Sequence, residues 1–236
     1  MKKLGLLLLF MAAISGITNA ADLIHQYTFN DGTANDSVGS FNLDIWNAGV
    51  SNGTLNTVGV TSSAYGNANS LVQNSFALEA WVSGTWTEDV FGIRGDDVDW
   101  TGGVVVRHNT WDGVYVLAAD NGWGTNWIPS YNYINENGLH QIVLGYTRNV
   151  GDDLIELFVD GAFIGSTTTA VEFPETSILR IGGDAQWTEA QYDTFNIYNS
   201  ALTAQEVADN YAAGIPEPAT MILLGLGGLV LRFRKR

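Results

Sequence analysis

Six of the eight tryptophans in this 236-residue sequence fall between Trp81 and Trp127. The face of a pyranose ring is apolar. A flat indole can stack on it while nearby Asp, Asn and Gln side chains take the hydroxyls. Trp100, Trp111, Trp123 and Trp127 sit among Gly, Asn, Asp and Thr, in stretches that read as loops or strand ends. Tyr131 and Tyr133 follow with period two, as on one face of a strand. A loop tryptophan with no structural task is an exposed apolar liability. Gathered on a sheet or its rim, Trp100, Trp111, Trp123, Trp127 and Tyr131 would form a platform for saccharide. The competing reading puts them inside the protein, where large aromatics dominate core energetics. Trp81 lies within a strand pattern and reads as core.

Bond-breaking chemistry is less well supplied. His25, His108 and His140 are the only histidines, and no Gly-x-Ser-x-Gly elbow accompanies them. Each reads as a satisfied strand residue. No histidine pair has zinc spacing, and there is no cysteine to act as nucleophile, ligand or disulfide. Glycoside hydrolysis needs two carboxylates about 5–9.5 Å apart. The nearest strand-borne spacing is Glu156 with Asp160, but a hairpin turn claims Asp160; Glu79 stands alone on its strand. An enzyme would have to assemble dispersed carboxylates by folding. Oxygen donors abound, so a bound metal would be a hard cation. No EF-hand loop is present, and Asp96-Asp97-x-Asp99 reads as a solvated loop.

Charge narrows the partners. Six of the ten basic residues lie at the two ends, leaving residues 21–215 with four arginines, no lysine and 24 carboxylates, a formal −20. Such a surface repels phosphate backbones and anionic lipid, which argues against nucleic acid. It suits cations and neutral ligands, or simply keeps an exported protein soluble.

The elements that must position these residues are short strands. Alternating or apolar runs bounded by Gly, Asn and Asp occur at 23–29, 76–82, 103–107, 113–118, 141–147, 154–159, 162–167, 178–181 and 192–198. Asp160-Gly161 between two such runs predicts a type I′ hairpin, because both turn residues must accept positive φ. Asp112-Gly113 and Asn137-Gly138 are weaker turn signals. One helix is predicted over 203–213. Thr203 and Glu206 form a capping box, Leu202 and Val207 a staple, and Gly214 stops the helix ahead of Pro216. Val207 and Tyr211 should face the sheets.

The order of these pieces resembles a known family. Tyr27-x-Phe29-Asn30-Asp31-Gly32 precedes Asp36-Ser37-Val38-Gly39, then Phe76-Ala77-Leu78-Glu79-Ala80-Trp81-Val82. His140-Gln141-Ile142-Val143, Leu157-Phe158-Val159-Asp160-Gly161 and Leu179-Arg180-Ile181-Gly182-Gly183 follow. Last come Asp193 to Asn199 and Ala201 to Glu206. Over residues 22–214 the chain is similar to the concanavalin A-like, laminin-G-like jelly roll. That resemblance implies an all-β fold of two antiparallel sheets packed face to face, one of them concave, with a short C-terminal helix. One departure is Asn137-Gly138-Leu139, where the family often has Trp-x-His. The glucanases of this fold carry Glu-x-Asp-x-x-Glu on one strand, and this sequence has no such run. The resemblance also implies one structural calcium near the joined terminal strands. Asp36 and Asp193 stand at matching positions; the alternative for each is turn capping by its carboxylate.

The two ends read as addresses. Met1-Lys2-Lys3, apolar 4–17 and Thr18-Asn19-Ala20 make a signal peptide, 1–20, with cleavage after Ala20. At the other end Pro216-Glu217-Pro218 precedes an apolar run, 219–231, and a basic end, 232–236. Thirteen residues reach only ~20 Å as a helix, a marginal anchor against a ~30 Å core. The basic cluster keeps the domain outside. The tail, 216–236, resembles the PEP-CTERM sorting signal of Gram-negative bacteria. That implies signal peptidase and an exosortase as processing partners, transient inner-membrane association, and release to the surface or matrix. With 21–215 as one β-sandwich domain, the expected role is non-enzymatic binding of extracellular polysaccharide. The alternatives are a structural surface protein without a small ligand, and a glycan-cleaving enzyme with dispersed carboxylates.

Overall fold

Alternation decides which side of each strand is buried in the computed structural model of the chain, which describes residues 20–59, 61–84, 88–95, 102–109, 113–119, 126–129, 138–183 and 188–214. The expected sorting tail, and the expected signal apart from Ala20, lie outside these residues. The strands are β1 (Leu23–Tyr27), β2 (Asp44–Trp46), β3 (Gly49–Ser51), β4 (Thr54–Gly59), β5 (Ser63–Asn67), β6 (Phe76–Ser83), β7 (Glu88–Gly95) and β8 (Gly103–Asn109). They continue as β9 (Gly113–Ala119), β10 (Asn126–Pro129), β11 (His140–Thr147), β12 (Asp153–Val159), β13 (Ala162–Thr169), β14 (Ser177–Gly182) and β15 (Thr188–Tyr198), before helix α1 (Ala204–Gly214).

Two antiparallel sheets result. One runs β13-β12-β11-β6-β15-β4-β3, with β1 also paired to β15; the other runs β10-β9-β8-β7-β14-β5-β2. Inward residues of both form the core, among them Leu78, Ala80, Leu144, Leu157, Phe195 and Ile197 facing Phe91, Ile93, Val104, Val106, Val116 and Leu179. The period of two sends each neighbour outward. Buried tyrosines satisfy their hydroxyls on the way: Tyr27 donates to the Phe41 carbonyl, and Tyr192 to that of Val90 at 2.6 Å.

The outer face of the eight-stranded sheet is half covered. Ala77, Val143, Phe158, Tyr198, Leu202 and Val207 form a second apolar cluster beneath α1. The capping box forms as expected, with Thr203 N donating to Glu206 Oε2 at 2.7 Å and Glu206 N to Thr203 Oγ1 at 3.3 Å. Leu202 and Val207 staple the entry. Asp160 and Gly161 have φ of 51° and 77°, the two positive values that the type I′ turn requires.

Three expectations are corrected in detail. Strand β15 starts at Thr188 rather than at Tyr192, so Asp193 lies inside the strand and does not open it. Gly214 belongs to the last turn of α1. Six strands, β2 to β5, β7 and β10, fall outside the runs that alternation picks out.

Candidate functional site

The outer face of the seven-stranded sheet is the first candidate. Its strands bound the segments that hold Trp100, Trp111 and Trp123, while Tyr131 falls between β10 of this sheet and β11 of the other. Trp100, Trp111, Trp123 and Tyr131 themselves lie outside the described residues. Trp127 lies on β10 with its backbone opposite Leu117. Gly103 pairs with both Arg94 and Ala119, so the segments containing Trp100 and Trp123 leave the sheet at one end. Those containing Trp111 and Tyr131 leave from the other.

What the described residues place on this face is a row across the strands: Asp44, Tyr65, Arg180, Gly92, Val105 and Leu117 stand in register. Trp46, 42 % exposed, meets Tyr65 edge-on with ring centroids 6.5 Å apart. The Arg180 guanidinium carbon sits 5.8 Å from the Tyr65 centroid. An aromatic pair with a cation on one ring is held rigidly, since both contacts have preferred geometry. Further along, Asp89 Oδ1 accepts Arg107 Nε at 2.6 Å, with Arg94 Nη2 at 3.8 Å from Oδ2. Three of the four arginines of residues 21–215 therefore occupy one face of one sheet, all buried.

Composition alone gave no hint of that gathering, nor did it mark Trp46 and Tyr65. Each sits in a short strand, Asp44-Ile45-Trp46 or Ser63-Ala64-Tyr65-Gly66-Asn67, too small and polar to stand out. The available signal was weak: outward Tyr65 neighbours the buried Ala64, but Ile45 and Trp46 of β2 are both exposed.

The second candidate is a cleft of about 300 Å³ on the outer face of the eight-stranded sheet, beside the end of α1. Trp81, Glu79, Asn196, Tyr198, Asp193 and Asn210 line it, with Gln26 and Thr194 at its wall. Glu79 is 1 % exposed and accepts from Gln141 Nε2 on one oxygen. Its other oxygen takes Asn196 Nδ2 at 2.9 Å and the Tyr198 hydroxyl at 2.6 Å. Burial, then the charge of Glu79, pushes the Tyr198 hydroxyl well above the usual phenol range. Asn210 Nδ2 donates to Tyr198 Oη, and Gln26 Nε2 to Asn196 Oδ1.

Asp193 reaches this cleft through a β-bulge. In the β15–β6 register Tyr192 opposes Val82 and Thr194 opposes Trp81, so Asp193 is the extra residue. Tyr192 and Phe195 both point into the core. The bulge turns two consecutive side chains, Asp193 and Thr194, toward the cleft.

Asp36 serves as a turn cap. Oδ1 accepts the N–H groups of Gln26, Val38 and Gly39, and Oδ2 accepts Phe41 N–H and His25 Nδ1, the last at 2.6 Å. Burial pushes its carboxyl up, but these donors outweigh that and hold it well below the usual range. Among the described residues no group of three or more His, Asp or Glu is disposed to hold a metal ion. His140 pairs with Asp160 at 2.8 Å. Burial raises Glu156 above the usual carboxylate range.

Residues 59–208 match the profile of the concanavalin A-like lectin/glucanases superfamily, and residues 214–236 match the PEP-CTERM protein-sorting motif. No curated protein matches the sequence. Among solved structures, domain 4 of AbnA, an extracellular arabinanase of Geobacillus stearothermophilus held in complex with arabinotriose, superposes with a TM-score of 0.56 at 18 % identity, covering 80 % of this chain and 98 % of that domain. Trypanosoma rangeli sialidase superposes at 0.64 and 15 % identity over 80 % of this chain, which spans only 32 % of the sialidase. The receptor binding domain of botulinum neurotoxin type G gives 0.58 at 16 % identity, covering 81 % and 51 %. At these identities the likeness is one of fold.

Proposed function

This chain belongs to the concanavalin A-like lectin/glucanases superfamily, and from that premise we propose that it is an exported surface or matrix protein that binds extracellular polysaccharide without cleaving it. The sorting motif indicates export and a surface or extracellular destination, with an exosortase as processing partner. The observation that carries the binding reading is the Trp46–Tyr65 pair, half exposed and backed by Arg180, on the outer face of the seven-stranded sheet. Its strands also bound the segments that hold Trp100, Trp111 and Trp123, carry Trp127 on β10, and precede Tyr131. The arabinotriose complex of the AbnA domain supports a saccharide as the ligand class.

One observation favours glycan cleavage as a second reading: Glu79 and Asp193 line one cleft. Against it, Glu79 is engaged by three neutral donors and almost wholly buried. Proton transfer to a glycosidic oxygen would require that network to open.

The test is a titration of the purified full chain against neutral and acidic polysaccharides, followed by tryptophan fluorescence, with calcium and with chelator. Binding that is saturable, and lost in Trp46→Ala, Trp123→Ala or Trp127→Ala, supports the platform. A calcium requirement would add the ion that Asp36 and Asp193 were expected to hold. Release of reducing ends, abolished by Glu79→Gln or Asp193→Asn, would favour the enzyme. No response across the panel from a folded protein would leave a structural surface protein.

A further inference from the structure

We infer that the cleft beside α1 is a second saccharide site, selective for a neutral, hydroxyl-rich sugar and separate from the platform on the opposite sheet. The inference takes its ligand class partly from the polysaccharide reading above, but its location rests on independent geometry.

The walls supply the right groups. The lining holds the exposed carboxylate of Asp193 and the buried one of Glu79, three carboxamides, Gln26, Asn196 and Asn210, the hydroxyl of Thr194, and the rings of Trp81 and Tyr198. Among the described residues no Lys, Arg or His lines it. An anionic sugar would meet the Asp193 carboxylate, with the buried Glu79 charge behind it and no compensating cation in the lining. A purely apolar ligand would strip water from the amides and give them no partner. A neutral polyol does neither, because its hydroxyls both donate and accept. The volume lies at the small end of ligand clefts, which suits one end or a side branch of a glycan better than a long stretch of polymer.

The polar groups are also fixed in advance. Gln26 holds Asn196, Asn196 and Tyr198 hold Glu79, and Asn210 holds Tyr198, a continuous chain from β1 through β15 and β6 to α1. Preorganised amides lose little side-chain freedom when a ligand arrives. The bulge at Asp193 is the second sign. A regular β15 would send Asp193 and Thr194 to opposite faces; the extra residue brings both to the cleft. The core uses the same kink: two residues separate Tyr192 from Phe195, so ordinary alternation would place them on opposite faces, and the extra residue lets both reach the interior. The bulge thus serves the core and also aims a carboxylate and a hydroxyl at the same opening.

With sites on opposite faces, one domain could join two glycan strands.

The experiment uses the purified full chain and, as probes, neutral trisaccharides of glucose, mannose, galactose and arabinose, with calcium chloride alone as a control. The readout is the side-chain amide region of the ¹H–¹⁵N spectrum, in which the Asn210 pair is assigned by its loss in Asn210→Leu. We expect at least one trisaccharide to shift the Gln26, Asn196 and Asn210 amides. Asp193→Asn, at an exposed position, should weaken that response at least tenfold, and Asn210→Leu should abolish it by filling the cleft. Trp46→Ala should leave it intact, which separates this site from the platform. Amide shifts absent with every trisaccharide overturn the inference, as do shifts that survive both cleft substitutions or vanish in Trp46→Ala. Shifts produced by calcium alone and blocked by Asp193→Asn would also overturn it, in favour of a cation site. If the platform reading fails while the amide shifts persist, the cleft is the protein's saccharide site by itself.

Discussion

Gly214 lies flat against the indole of Trp81: a Cβ built on Gly214 would overlap Trp81 Cζ2. The same indole is stacked on Tyr211, with centroids 5.8 Å apart and planes within 5°. Trp81 is thus clamped between two residues of the last turn of α1, one of them necessarily without a side chain. Gly214→Ala should force the indole out of the Tyr211 stack and destabilise the domain by about 1–3 kcal/mol, as overpacking does. A urea midpoint shift with unchanged slope, together with altered tryptophan emission, would verify it.

Glu79 accepts hydrogen bonds on both oxygens, from Gln141, Asn196 and Tyr198. Glu79→Gln replaces one oxygen with an NH₂ that faces a donor. One buried group then goes unsatisfied, at roughly 1–3 kcal/mol. Glu79→Gln should therefore cost more in chemical denaturation than Glu156→Gln on the same outer face, where Glu156 is only partly buried.

Asp36 predicts an acid-sensitive edge to the fold. Its carboxyl is held below its ordinary value, so it stabilises the native state fully above the unfolded value of about 3.9. That contribution is lost as pH falls from there through the depressed native value. Asp36→Asn should be less stable than the parent by about 2–3 kcal/mol near pH 7, because charged hydrogen bonds are replaced by donor-donor clashes. The gap should narrow below pH 4. A constant gap from pH 7 to pH 2 would contradict the ionised five-donor cap.

Ala21 N lies 3.1 Å from Glu206 Oε1, the same carboxylate that caps α1. Cleavage after Ala20 would turn that amide into an α-amino group and the hydrogen bond into a charged pair. A chain starting at Ala21 should melt slightly higher than one carrying extra N-terminal residues, by the few tenths to 1 kcal/mol typical of exposed pairs. Glu206→Gln should erase the difference.

Much of the fold was legible because core strands are long and alternate cleanly. β6, β11 and β12 each present an unbroken apolar row, and Asp160-Gly161 allows only one kind of turn. The capping box was equally plain, since Thr203 and Glu206 act over three residues. β2 to β5 were hidden for the opposite reason: they are short and polar, and β4 and β5 gain hydrogen bonds from the distant β15 and β14, while β3 pairs with β4 alone across the Asn52-Gly53 turn. The same holds for the sites. Glu79 reads as solitary along the chain, because Gln141, Asn196 and Tyr198 reach it from β11 and β15. The bulge that turns Asp193 toward the cleft depends on pairing with β6 and leaves no local mark. Trp46 and Tyr65 escaped notice because attention to tryptophan density favours 81–127, whereas a platform needs only two rings on adjacent strands.

The contacts of Ala21 and Gly214 also set how the domain would carry load. Ala21 is tied to Glu206, and Gly214, where the sorting motif begins, packs against Trp81. Tension between an anchored tail and a polymer gripped on the far sheet would enter through the clamp around Trp81, on a central strand of the eight-stranded sheet. The first thing to yield under pulling would be the eleven-residue helix, not the sandwich, so α1 would act as a mechanical fuse. Single-molecule extension should show an early small release that Gly214→Ala moves to lower force, ahead of the main rupture. A domain built this way could be tugged repeatedly while its two sheets stay folded.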